Sequence, residues 1–71
     1  MKNTINWTSN EKEIANFFQM VGKNDNNEFI ISKMKNDKQY LLKIIGVDNR
    51  FYFDTIKLAQ EWCENYINKI N

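Results

Sequence analysis

Cys63 is the one thiol of this chain, and its chemistry would be nucleophilic attack by a thiolate. A thiolate at neutral pH needs a neighbouring base or cation to draw off its proton, and the chain contains no histidine. Cys63 also stands four residues after Ala59 and four before Ile67, on an apolar stripe of helical spacing. That setting reads as a small buried hydrophobe rather than a reactive group. The missing histidine excludes Ser-His-Asp and Cys-His constellations as well. One cysteine without histidine makes a zinc site unworkable. Neither GxxxxGK[ST] nor GxGxxG occurs, so no phosphate-cradling loop is present. The chain is therefore expected to be no enzyme, and to use no cofactor, no metal and no small-molecule substrate.

A second chemistry is phosphate binding. Lys33, Lys35, Lys38, Lys43 and Arg50 fall close together in sequence. Glu28, Asp37 and Asp48 are interleaved with them, and the formal net charge is only +1. Contact with nucleic acid works best through unbroken positive charge. The cluster thus reads first as a solvated mixed-charge edge that discourages strand-to-strand association. A nucleic-acid-binding module is the alternative.

These groups have to be positioned by a small fold. A chain of 71 residues is expected to form one domain, residues 1–71, that buries only about 60% of its unfolded surface. Ten aromatic side chains supply the core area. There is no apolar run of membrane-spanning length and no signal-peptide pattern, which points to the cytoplasm and away from a membrane.

Hydrophobic periodicity sets the elements. Residues 1–8, with Ile5 and Trp7 alternating with polar neighbours, form an N-terminal arm or short strand. Thr8-x-x-Glu11 and Asn10-x-x-Glu13 both match a capping box. Ile14, Phe17, Phe18 and Val21 then recur at helical spacing, and Gly22 supplies a stop. A first helix is expected over 9–21. "EFIISKM" (28–34), "QYLLKIIGV" (39–47) and "RFYF" (50–53) read as three strands. "KNDK" separates the first two, and a two-residue Asp48-Asn49 turn separates the last two. Asp54 reads as the N-cap of a second helix over 55–70, with Phe53 and Leu58 placed as a hydrophobic staple. Its buried stripe is Ala59, Trp62, Cys63, Tyr66, Ile67 and Ile70; Gln60, Glu61, Glu64, Asn65 and Asn68 face water. The expected fold class is α+β: an α-β-β-β-α order, with a three-stranded antiparallel meander packed against two helices.

Strand alternation then locates a candidate contact surface. Phe29 and Ile31 share one face, as do Tyr40, Leu42 and Ile44. Ile30, Met34, Leu41 and Ile45 fall on the other face, together with Lys43. Helices on one side of the sheet leave that second face exposed unless the N-terminal arm, with Ile5 and Trp7, or the first helix covers it, and an exposed apolar patch marks an interface. The expected partner-binding residues are Ile30, Met34, Leu41, Lys43 and Ile45, the hairpin cations Lys35, Lys38 and Arg50, and the tyrosines Tyr40 and Tyr52. The expected partner is a host protein or protein–nucleic acid complex, with a homodimer as the other occupant of the face.

The segment "YFDTIKLAQEWCENYI" (52–67) carries an F-D-T-x-x-x-A-x-x-W pattern. With Trp7 upstream and the paired strands "EFIISKM" and "YLLKII", it resembles the closing segment of small phage and prophage α+β proteins, over about the last two-thirds of the chain. Proteins of that build include inhibitors of host defence such as anti-CRISPR proteins. The resemblance implies an inhibitor that blocks a host nuclease complex sterically. The expected element order also resembles the double-stranded RNA-binding domain. That family sets a lysine cluster at the start of its last helix. Here Asp54, Thr55, Ile56, Lys57 and Leu58 occupy the place, with a single lysine. A regulator reading operator DNA would need base-reading side chains on the first helix, where the sequence offers Asn10, Lys12, Asn16 and Gln19.

Overall fold

The computed structural model describes residues 4–9 and 17–69. Among these residues, five strands form one antiparallel sheet in simple meander order: β1 (Asn6–Ser9), β2 (Phe17–Lys23), β3 (Glu28–Met34), β4 (Tyr40–Ile44) and β5 (Arg50–Phe53). One helix, α1 (Ile56–Lys69), follows and packs on β3, β4 and β5.

The three-stranded, two-helix fold class is thereby corrected. The sheet has two further strands, and Phe17–Val21 belongs to β2 instead of a first helix. Ser9 belongs to β1, and the remaining residues of that expected helix, 10–16, including Asn10, Glu11, Lys12, Glu13, Ile14 and Asn16, lie outside the described residues. The misreading has a physical cause. Phe17, Phe18 and Val21 fit a helical stripe, yet Phe17-Gln19-Val21 and Phe18-Met20-Gly22 also fit a strand with both faces in use. Two aromatics and a β-branched residue favour the strand once β1 and β3 are there to pair with. Thr8 lies in β1, and its hydroxyl donates to the Val21 carbonyl across the strand pair at 3.4 Å. Gly22 is buried inside β2, opposite Trp7 and Phe29, and stops no helix.

The turns are chemically distinct. Between β2 and β3 the Asn24 side chain accepts from the backbone of Asn26 (3.0 Å) and Asn27 (2.7 Å), holding the loop in an Asx-type turn. Between β3 and β4 the Asp37 N–H donates to the Met34 carbonyl (3.0 Å), and the Asp37 carboxylate accepts from the Met34 N–H (3.2 Å). The β4–β5 turn is not the expected Asp48-Asn49 pair. Strand β4 ends at Ile44, and Val47 N–H donates back to its carbonyl (3.0 Å). Gly46 takes φ +90°, the left-handed value that the third position of such a turn demands and that glycine reaches without strain.

One face of the sheet carries the core. Phe29, Ile31, Leu42 and Ile44 are buried there against Ala59, Cys63 and Ile67 of α1. Aromatic side chains close its margins. Trp62 lies 4.6 Å from Phe51 and stacks on Tyr66 at 5.2 Å between ring centroids; Phe29 meets Tyr66 edge-on at 6.1 Å. Gln60, expected in water, is half-buried and donates its amide to the Met20 thioether. The helix starts one residue later than expected: Thr55, not Asp54, is the cap, its hydroxyl accepting from the Leu58 N–H at 3.1 Å. With Thr55 as the cap, Phe53 and Leu58 no longer hold the staple positions, and Leu58 is 48% exposed.

Candidate interaction surface

The opposite face of the sheet is laid out by strand register. Its central row runs Gln19, Ser32, Leu41, Tyr52 across β2 to β5. On one side lies the row Thr8, Val21, Ile30, Lys43, Arg50. On the other, Phe17 pairs with Met34, and the Gln39 amide donates to the Asp54 carboxylate at 2.9 Å just beyond the ends of β4 and β5. Helix α1 packs on the other side, and no helix among the described residues covers this face. Phe17, Val21, Ile30 and Leu41 are half-buried, whereas Met34 and Tyr52 are 49% and 58% exposed.

Six of the ten residues singled out from sequence meet on this face: Ile30, Met34, Leu41, Lys43, Arg50 and Tyr52. Tyr40 does not. It points to the core side, where its ring meets Phe18 edge-on at 5.8 Å and carries the Lys33 ammonium 5.7 Å from its centroid. Lys35 and Lys38 sit in the exposed β3–β4 turn. Ile45 lies past the end of β4 in the next turn, 55% exposed, its N–H donating to the Glu28 carbonyl. Phe17, Val21, Asp37 and Asp54 complete the surface without having been singled out from the sequence. Even-odd alternation over 17–23 was the available signal for the first two.

The polar half of the face has two ends. Lys43 and Arg50 stand directly opposite each other on β4 and β5, both exposed. Like charges in directly opposed positions destabilise a strand pair, and among the described residues neither cation has an ion-pair partner. At the other end Asp37, Lys38, Gln39, Leu41, Tyr52 and Asp54 line an open groove of about 640 Å³. The face therefore reads basic, then apolar, then mixed with two carboxylates along β4 and β5.

Cys63 is placed far from this surface. It is fully buried under the sheet, and desolvation, with a smaller push from the Glu64 carboxylate, raises its thiol from 9.0 to about 12. Its burial among Phe29, Ile31 and Leu42 holds the side chain as a protonated thiol near neutral pH and makes it a packing group of the core. No helix is long and apolar enough to cross a membrane among the described residues.

No protein-family model matches the chain, and no curated protein sequence or solved structure is detectably similar to it.

Proposed function

We propose that the chain is a protein-interaction module that binds through the open face of its sheet and performs no chemistry itself. The observation that carries the reading is the combination of half-buried Val21, Ile30 and Leu41 with exposed Met34 and Tyr52 on the face that α1 leaves free. An apolar, aromatic centre with a charged rim is the anatomy of a protein contact surface. Met34 adapts to a partner's shape, and Tyr52 offers area at little entropy cost. The narrower version, steric inhibition of a host defence nuclease complex, rests on the resemblance of residues 52–67 to the closing segment of small phage and prophage proteins, some of which are such inhibitors.

The opposed cations Lys43 and Arg50 favour a second reading, a phosphate-bearing ligand. Glu28 next to Ile30's row, and Asp37 and Asp54 at the far end, weigh against a polyanion lying along the strands.

Photo-crosslinking separates the two. A crosslinking amino acid is placed at Met34 or Tyr52, and at Glu61 or Asn65 on the exposed side of α1. Protein adducts from the sheet positions and none from the helix positions are expected. Adducts with nucleic acid alone, or equal protein capture from the helix, would overturn the reading.

A further inference from the structure

The open face is self-complementary, and this identifies the chemistry of a partner. A two-fold axis lying along the central row, across the strands, leaves each strand over its own copy and reverses its direction. Residues on that row then meet themselves: Leu41 meets Leu41 of the second copy, and Tyr52 meets Tyr52. The flanking rows exchange places. Val21 comes over Phe17 of the second copy, and Ile30 over Met34, so apolar groups meet apolar groups across β2 and β3. Arg50 and Asp54 lie two residues either side of Tyr52, Arg50 at the start of β5 and Asp54 just past its end, where its carboxylate accepts from Gln39. The same rotation therefore brings Arg50 over Asp54 of the second copy, twice per dimer. Along β4 it brings Lys43 over Gln39.

We propose that the open face of the sheet is the isologous interface of a homodimer, with the Leu41–Tyr52 row on the two-fold axis. The inference rests on the interaction-module reading and names the partner of the same surface. Three features support a second copy over an unrelated protein. The cations at 43 and 50 oppose each other within one chain without a carboxylate of their own, and the second copy brings one to Arg50. On β2 and β3 the apolar positions are matched about the central row, Val21 and Phe17 flanking Gln19 and Ile30 and Met34 flanking Ser32, although nothing in a single sheet requires that symmetry. Two aligned sheets packed face to face, about 10 Å apart and turned by about 30°, place opposed side chains within contact of each other. A standard interface takes about 800 Å² from each partner, about one-seventh of the 5547 Å² this chain exposes.

Sedimentation equilibrium on the full chain tests the proposal with exposed residues whose replacement leaves the core intact. The unaltered protein should dimerise reversibly. Arg50→Asp sets a new carboxylate against Asp54 of the second copy, and Asp54→Arg sets a new guanidinium against Arg50. Each variant alone should dimerise at least about tenfold more weakly. Mixed together, the two variants should recover the dimer, because each then presents the charge the other lacks; the double variant R50D/D54R should recover it also. Unchanged dimerisation of both single variants would overturn the two-fold arrangement. So would single variants that weaken while neither the mixture nor the double variant recovers. A protein that stays monomeric to about 1 mM would overturn self-association altogether. In that event, crosslinking from Met34 to a different protein leaves the interaction-module reading standing, whereas a monomer without sheet-face adducts removes both.

Discussion

Gly22 gives the sharpest test of how β1 is held, because the structure fixes both the sign and the size of the effect. A Cβ added there would lie 2.5 and 2.6 Å from Cζ3 and Cε3 of the Trp7 indole and 2.8 Å from Cγ2 of Ile5. Carbon atoms rest at about 3.5–4.0 Å, so the ring must retreat by about 1 Å. Retreat loosens the indole from Phe29, whose ring centroid is 6.4 Å away and whose side chain is fully buried. Overpacking of this kind costs about 1–3 kcal/mol. The backbone offers a partial offset. Gly22 has no positive φ, and alanine in a strand is favoured over glycine by about 0.5–1 kcal/mol. Gly22→Ala should then destabilise the protein by about 1–2 kcal/mol. In a Trp7→Ala background most of the clash is gone, and the same change should be neutral or stabilising. Urea unfolding of the four proteins, followed by far-UV circular dichroism, should give a coupling energy of about 1–2 kcal/mol between positions 7 and 22. A Gly22→Ala protein at least as stable as the parent, with coupling below about 0.5 kcal/mol, would refute the idea that glycine is there to seat the indole.

Two further outcomes follow from the helix. Thr55→Ala removes the cap on the Leu58 N–H and should cost about 1 kcal/mol, whereas Asp54→Ala, which within one chain loses an exposed bond to Gln39, should stay within about 0.5 kcal/mol at concentrations where the protein is monomeric; thermal unfolding distinguishes them. The Cys63 thiol is raised from 9.0 to about 12 in the folded protein, so above pH 9 the unfolded chain releases a proton that the folded one keeps. The stability this group contributes is intact below pH 9 and should fall by up to about 1.4 kcal/mol per pH unit between pH 9 and 12. Cys63→Ala should lack that part of the slope in parallel urea titrations at each pH, and an identical slope in both proteins would count against the buried, protonated thiol.

The C-terminal half of the fold was legible because its local signals agree. Strands over 28–34 and 50–53 and a helix after Asp54 all follow from alternation, a turn of amide and charged residues, and a three-four stripe. The N-terminal half was not legible, because Phe17–Val21 satisfies both periods and only pairing partners distant in sequence choose between them. The contact surface divides in the same way. Ile30, Met34, Leu41, Lys43, Arg50 and Tyr52 could be placed on one face by counting in twos from strands already recognised. Phe17 and Val21 were lost with the helix assigned to them. Tyr40 was drawn into the surface as an exposed tyrosine although alternation had already set it beside Leu42, on the core side.

By itself, then, the sequence determined which side chains share a face within each strand, the buried stripe of the closing helix and the absence of histidine chemistry, since these depend on spacing and composition alone. Only the tertiary structure decided the number of strands and the turn at Gly46, and with them the order of rows on the open face. Register is a relation between strands: sliding one by two residues preserves every local pattern and changes which side chains stand opposite. That relation, and no local signal, sets Lys43 against Arg50 and Leu41 against Tyr52.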